Sequence, residues 1–158
     1  MNSINSTRLR EILNYDSLTG IFTWKKSFHS PRIGKVAGTT IKRGYITVGI
    51  DKHIYRAHRL AWVYIYDVWP SIGIDHINGI KTDNRIANLR EATTSENMQN
   101  QYKSSGKGLL GTTFDQGKWN SRIVVNGKYI HLGRFQTAEE AYQVYLEAKR
   151  KLHPFSNL

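Results

Sequence analysis

The sequence predicts an α+β protein in three small parts. These are a basic, β-rich N-terminal region, a central strand–loop–strand–helix motif, and a C-terminal three-stranded antiparallel sheet with one helix. Three observations predict it. Short runs of β-branched and aromatic residues, bounded by turn residues, lie on both sides of the centre. The stretch AHRLAWVYIY, Ala57 to Tyr66, has no helix breaker and carries apolar residues at helical spacing. Thr93 with Glu96, and Thr137 with Glu140, have the spacing of capping boxes. The 158 residues allow one domain or two to three small ones, and the boundaries read as 1–56, 57–104 and 105–158.

Taken in order, Ser6 is placed to cap a short helix with Leu9, Ile12 and Leu13 on one face. Asn14 to Gly20 reads as a turn, and Ile21 to Trp24 as a strand. Lys25 to Gly38 is basic and irregular. Tyr45 to Ile50 and His53 to Tyr55 flank Asp51-Lys52 and predict a hairpin. The helix at Ala57 to Tyr66 should bury Leu60, Ala61, Tyr64 and Ile65, with His58 as a hydrogen-bonded core residue rather than a catalyst. Ile72 to Asp75 and Leu89 to Thr93 read as strands joined by a polar loop with an Asn78-Gly79 turn, and a helix should start near Thr94. Asn100, at its end, reads as a surface amide. Gln101 to Gly108 has the composition of a linker. Gly111 to Phe114, Trp119 to Val125 and Tyr129 to Phe135 are three strands, and the last helix runs from Ala138 to about Leu152. Its buried face should hold Ala138, Ala141, Tyr142, Tyr145, Ala148 and Leu152, with Lys149 in the last turn facing the helix dipole.

The formal net charge of +11 calls for a polyanionic partner. No apolar run reaches the roughly 18 residues of a membrane span, and the first residues lack a signal peptide's apolar core. Nucleic acid therefore leads over a membrane surface. The absence of Cys excludes disulfides and Cys-bound zinc, and it fits a reducing cytoplasm. The charge is segmental. Residues 1–60 hold 11 bases and 3 acids, residues 61–100 hold 3 and 5, and residues 101–158 hold 9 and 4. Two basic flanks suited to a phosphate backbone surround an acidic middle suited to a cation.

That middle contains IDHINGIKTDNRIANLREATTSENMQN, Ile74 to Asn100. Hydrolysis of a phosphodiester needs an in-line water, a base for its proton and positive charge on the developing oxyanion. Asp75 and Asn97 offer oxygen ligands suited to one Mg²⁺ or Mn²⁺ ion rather than to zinc. His76 is a base that is largely neutral near pH 7.5.

Four pieces of this region, HRLAW at His58 to Trp62, IDHING at Ile74 to Gly79, DNRIANLR at Asp83 to Arg90, and ENMQN around Asn97, resemble the HNH (ββα-metal) endonucleases, especially phage and intron-encoded homing members. The resemblance implies that Asp75 and Asn97 carry the divalent metal, that His76 activates the water, and that Asn88 bridges the loop and holds His76 in place. The C-terminal part resembles the plant APETALA/ethylene-response-factor DNA-binding domain through GKW at Gly117 to Trp119, LGRF at Leu132 to Phe135 and TAEEAY at Thr137 to Tyr142. That likeness implies a sheet face on the DNA major groove, with Arg122, Tyr129 and His131 as contacts. Several plant Arg and Trp contact positions are other residue types here, so the plant target is not implied.

The expected function is a metal-dependent DNA endonuclease of the homing or mobile-element type, phage- or element-encoded and working in the cytoplasm of a bacterial host. Its partner is double-stranded DNA, gripped by Arg43, Arg56, Arg59, Arg85, Arg122, Tyr129 and His131, with no small-molecule cofactor and a monomer or weak dimer as the working form. The alternative is an HNH-derived DNA-binding or packaging-accessory protein that no longer cuts.

Overall fold

Leu9 and Ile12 lie at helical spacing, Leu13 stands in extended backbone just past the helix rather than on its face, and all three meet Phe22, Val48, Ile50, Leu60, Ala61, Val63, Ile74 and Leu89 in one apolar core. That core organises the first part of the chain. The computed structural model describes residues 4–26, 32–100 and 109–156. The chain divides into two units, Met1–Glu91 and Ala92–Leu158. It contains both helices and small antiparallel sheets, as the α+β expectation requires. Among the described residues no helix is long and apolar enough to cross a membrane.

In the first unit, α1 (Ser6–Ile12) is capped by Asn5, whose side chain accepts from the Arg8 amide, and not by Ser6. Asparagine is as good a cap as serine, and the sequence offers both in adjacent positions. Strand β1 (Leu13–Asp16) pairs antiparallel with β2 (Ile21–Trp24), so the turn expected from Asn14 is shorter than predicted. Asp16 closes it by accepting from the Leu18 amide and the Thr19 hydroxyl. A second sheet is formed by β3 (Thr39–Thr40), β4 (Ile46–Ile50) and β5 (His53–Arg56), in that order. Asp51 and Lys52 both take positive φ in the predicted hairpin turn.

Helix α2 (Ala57–Tyr66) has the predicted bounds. Its inward face carries Ala57, His58, Leu60, Ala61 and Val63, while Ile65 is exposed, contrary to expectation. Strands β6 (Gly73–His76) and β7 (Leu89–Ala92) pair with each other, and a short 3₁₀ turn over Ile86–Asn88 precedes β7.

In the second unit, α3 (Thr94–Gln99) begins with the predicted capping box, Thr93 and Glu96 each satisfying the other's backbone. Asn100, expected at the surface, is buried. The linker read from Gln101 to Gly108 lies outside the described residues. Strands β8 (Thr112–Asp115), β9 (Lys118–Val125) and β10 (Lys128–Phe135) form an antiparallel meander with β9 central. Helix α4 (Ala138–Leu152), with its capping box at Thr137 and Glu140, packs on that sheet. It buries Ala141, Tyr145 and Lys149, and leaves Leu152 exposed. The Lys149 ammonium lies 5.7 Å from the Tyr145 ring, and burial pulls its pKa down to about 8. Gly111, at φ +77°, lies where a Cβ would run into the Tyr145 ring.

Candidate active site

Strand β6 delivers three consecutive buried residues, Ile74, Asp75 and His76, where an ordinary wet-faced strand would alternate. Two ionisable neighbours sunk together need partners, and each has its own. Both Nε and Nη2 of Arg90 donate to Asp75 Oδ2, at 3.0 and 2.8 Å. Arg90 sits on β7, the strand paired with β6. The His76 Nε2 lies 3.1 Å from Asn84 Oδ1. Against the ring lie Tyr45, with centroids 6.0 Å apart, and His58, 5.0 Å away with its plane at 85° to the His76 ring. The separate partners fit a strand whose successive side chains point to opposite sides.

With Asn84 Oδ1 as the acceptor, His76 Nε2 carries the proton and Nδ1 carries the lone pair. Asn84 Nδ2 in turn donates to the Thr82 carbonyl at 3.4 Å, which fixes the amide's orientation. Burial holds the His76 pKa below the usual histidine value, and the Asn84 bond partly opposes it. The imidazole is therefore neutral and proton-accepting at neutral pH.

The loop from Ile77 to Arg85 is built on side-chain amides. Asn88 Oδ1 accepts from the Asn78 amide at 2.9 Å. Its Nδ2 donates to Asn78 Oδ1 at 3.0 Å and to the Asp83 carbonyl at 2.8 Å. Asn88 thus ties both ends of the loop together, while the side chain that bonds His76 is Asn84. Asn78 Nδ2 donates to Asp83 Oδ2 at 2.7 Å, and Arg85 donates to both Asp83 oxygens. The Arg85 bonds, first, and Asn78 pull the Asp83 pKa down to about 2. From outside the loop, the Tyr15 hydroxyl donates to the Asn84 carbonyl at 2.7 Å. Gly20, at φ +73°, lies so close to the Asn84 and Arg85 backbone that no Cβ fits there. The β1–β2 hairpin therefore holds the position of Asn84.

Of the residues expected to act, Asp75, His76 and Asn88 come together around the β6–β7 loop. Arg43, Arg56 and Arg59 share a cleft of about 700 Å³ that His58 also lines. Arg85 is exposed but engaged with Asp83 at 2.6 Å, so a phosphate would compete with that carboxylate for it. Asn97 is exposed on α3 in the second unit. In that same unit, Arg122 and His131 are cross-strand partners on β9 and β10, and the Arg122 guanidinium lies 5.3 Å from the Tyr129 ring. His58 is buried as expected, but its Nδ1 has no hydrogen-bond partner among the described residues, so the expectation of a satisfied core histidine fails. Asn84, Arg90 and Tyr45 were not singled out from the sequence. The one signal for Asn84 was a second asparagine four residues before Asn88, which any polar loop can contain.

Among the described residues no group of three or more His, Cys, Asp or Glu side chains gathers as a ready-made metal cage. A hard-oxygen set of one carboxylate, a carboxamide and water, as Asp75 and an asparagine would supply, suits Mg²⁺ or Mn²⁺. Arg90 already places positive charge on Asp75 Oδ2, so an ion bound there must share that carboxylate with the guanidinium or displace it.

Residues 55–99, from β5 through α3, match the family model described as HNH endonuclease. A curated relative, an uncharacterized HNH endonuclease of Acanthamoeba polyphaga mimivirus, is 28% identical over 128 residues, covering 80% of this chain and 67% of that protein. No solved structure matches the chain significantly. Residues 55–99 therefore carry an HNH endonuclease family domain, and Asp75, His76, Asn84, Asn88, Arg90 and Asn97 all lie within it.

Proposed function

We propose that the protein is a divalent-metal-dependent DNA endonuclease of the homing or mobile-element type, hydrolysing phosphodiesters with His76 as general base. The observation that carries the reading is His76 itself. It is a buried, neutral imidazole, fixed by Asn84 in the tautomer that puts a lone pair on Nδ1, within a segment that matches a nuclease family. Nδ1 takes the proton of the attacking water, and Asn84 keeps the ring in that orientation and tautomer as the charge develops. Asn88 acts through the loop, as a brace. Asp75 and Asn97 are the ligands we assign to the ion, Asn97 from its place in the matched segment alone. An Mg²⁺ or Mn²⁺ ion held by them would supply positive charge to the developing oxyanion.

The substrate in this reading is double-stranded DNA. The net charge of +11 and the exposed Arg122, Tyr129 and His131 on the C-terminal sheet support it, the latter as a second grip on the duplex. The viral origin of the relative supports a phage or mobile-element source acting in the cytoplasm of its host. A single base per chain suits a monomer, or a weak dimer, that nicks one strand per engagement.

The test is relaxation of a supercoiled plasmid by the full chain with Mg²⁺ or Mn²⁺, with EDTA, and with Asp75→Asn. Nicking that needs the metal and is lost in the variant is expected. Product in EDTA, or undiminished product from Asp75→Asn, sinks the metal assignment. No product with either ion sinks the nuclease reading.

A further inference from the structure

Glu11, Asp51 and Asp67 form their ion pairs with half-exposed side chains, and such pairs contribute little. The pair of Asp75 with Arg90 is different. The Asp75 side chain is 5% exposed and that of Arg90 23%. Two nitrogens of the guanidinium, Nε and Nη2, converge on a single oxygen, Oδ2. A buried carboxylate stripped of its cation is strongly destabilised, so this contact is a fixed part of the site as folded. Glu91, the next residue on β7, is engaged elsewhere: it accepts from the Ser71 amide at 2.6 Å and from the Ser71 hydroxyl at 3.1 Å.

Asp75 is also the carboxylate we assign to the ion, and the guanidinium already matches its single negative charge. A divalent cation on the same carboxylate lies close to that positive charge, in a buried setting where screening is weak. The ion and the guanidinium therefore compete, whether the ion displaces Arg90 or shares the carboxylate with it. A second anion for the guanidinium relieves the competition. A DNA phosphate is such an anion, since its paired oxygens accept from a guanidinium fork. Arg90 is the more exposed of the two partners, so a phosphate reaches the guanidinium while the carboxylate stays inside.

We propose that Arg90 is a built-in competitor of the metal ion, holding Asp75 until a DNA phosphate takes the guanidinium, so that ion and DNA bind with positive coupling. The coupling is reciprocal: DNA raises the affinity for the ion by the factor by which the ion raises the affinity for DNA. Away from DNA the protein then holds the ion weakly, and the site is completed where there is a phosphodiester to cut. Arg90 neutralises Asp75 first and the phosphate afterwards. The proposal rests on Asp75 as the ion's ligand in the nuclease reading; the competition itself needs only that a divalent cation binds Asp75, not that the DNA is cut.

The test is Mn²⁺ binding by the full chain, read from the free-ion EPR signal with and without a synthetic duplex, the duplex's own uptake being subtracted. Without DNA, Arg90→Gln should bind Mn²⁺ about 5- to 150-fold tighter than wild type, and Arg90→Lys, which keeps the charge, should stay near wild type. The duplex should tighten Mn²⁺ binding in wild type, and in Arg90→Gln by a factor smaller by that same amount. Mn²⁺ bound no tighter by Arg90→Gln than by wild type overturns the proposal, because Arg90 then braces the ligand instead of opposing the ion. Tighter binding that survives in an Arg90→Gln, Asp75→Asn double variant also overturns it, since the ion then sits elsewhere. Arg90→Gln removes a buried partner, so wild type supplies a second reading. ¹⁵N NMR follows the Arg90 Nε–H, assigned by its loss in Arg90→Lys. It should move when Mg²⁺ and duplex are added together and much less with Mg²⁺ alone; a resonance unmoved by both together overturns the exchange of partners. Plasmid nicking in Mg²⁺ is scored separately. If wild type nicks and Arg90→Gln gains no Mn²⁺ affinity, the competition fails and the nuclease reading stands. If the affinities follow the expected pattern and wild type does not nick, the competition stands and the nuclease reading falls.

Discussion

Replacing Asn84 with alanine removes one acceptor, 3.1 Å from His76 Nε2, and leaves the remaining ligands of the site untouched. Asn84 is 1% exposed and His76 4%, so water cannot substitute freely for the lost amide. A buried donor left unsatisfied costs about 1–3 kcal/mol. For a chain of this size that lowers the melting temperature by about 2–12 °C. The catalytic cost comes from orientation. Without Asn84 the ring no longer favours the proton on Nε2, and about 1.4–2.8 kcal/mol lost from that preference slows cutting roughly 10- to 100-fold. DNA affinity should hardly change, since Asn84 lies outside the cationic cleft. The assay is single-turnover plasmid nicking alongside anisotropy, from pH 5 to 8. Burial places the wild-type acid limb below pH 6.5, and loss of the Asn84 bond, which raises the His76 pKa, should move that limb lower still. Asn84→Asp keeps an acceptor and adds a negative charge, so it should restore much of the rate while moving the limb upward. Nicking by Asn84→Ala at the wild-type rate would refute the reasoning, as would an Asp variant no better than the Ala variant.

Three further outcomes are expected. Arg90→Ala strips the guanidinium from a buried Asp75 and should destabilise the fold by about 3–5 kcal/mol, with added Mg²⁺ raising the melting temperature more in the variant than in wild type. An equal Mg²⁺ effect in both would show that the ion does not take Asp75. Burial pushes the His58 pKa down to about 3, so its neutral form stabilises the fold fully above pH 6.5 and that contribution is lost as pH falls from 6.5 toward 3. The loss amounts to about 2 kcal/mol at pH 5, so thermal melts at pH 7 and 5 should differ by about 4–8 °C, and less in His58→Gln; coincident melts would contradict it. Gly20→Val forces a branched side chain onto the Asn84 and Arg85 backbone at positive φ, and should lower both stability and nicking; unchanged nicking would detach the hairpin from the site.

The legible parts of the fold were those written locally. Thr93 with Glu96 and Thr137 with Glu140 lie three residues apart, and each closes its capping box as read. The bounds of α2 followed from an uninterrupted run, and the C-terminal meander from its turn residues. What failed to show was set by distant contacts. Strand β1 was read as a turn because Asn14 and Asp16 are polar; its pairing with β2 decides otherwise. Lys149 carries a charge suited to a helix end, yet it is buried beside the Tyr145 ring. The motif around Asp75 and His76 was visible as a run of residue types, but its internal wiring was not. Asn84 owes its place to Tyr15, which lies 69 residues away, and Arg90 reaches Asp75 only because β6 and β7 pair. Residues 84 and 88 are both loop asparagines in the sequence; only the fold gives one to His76 and the other to the loop.

The measurement that bears most directly on the central claim compares wild type with His76→Ala for nicking of a supercoiled plasmid in Mg²⁺, with DNA affinity measured on the same preparations. The account predicts nicked circles from wild type, a rate at least about 10²-fold lower from the variant, and DNA affinity retained by both. Equal nicking by the two proteins would contradict it.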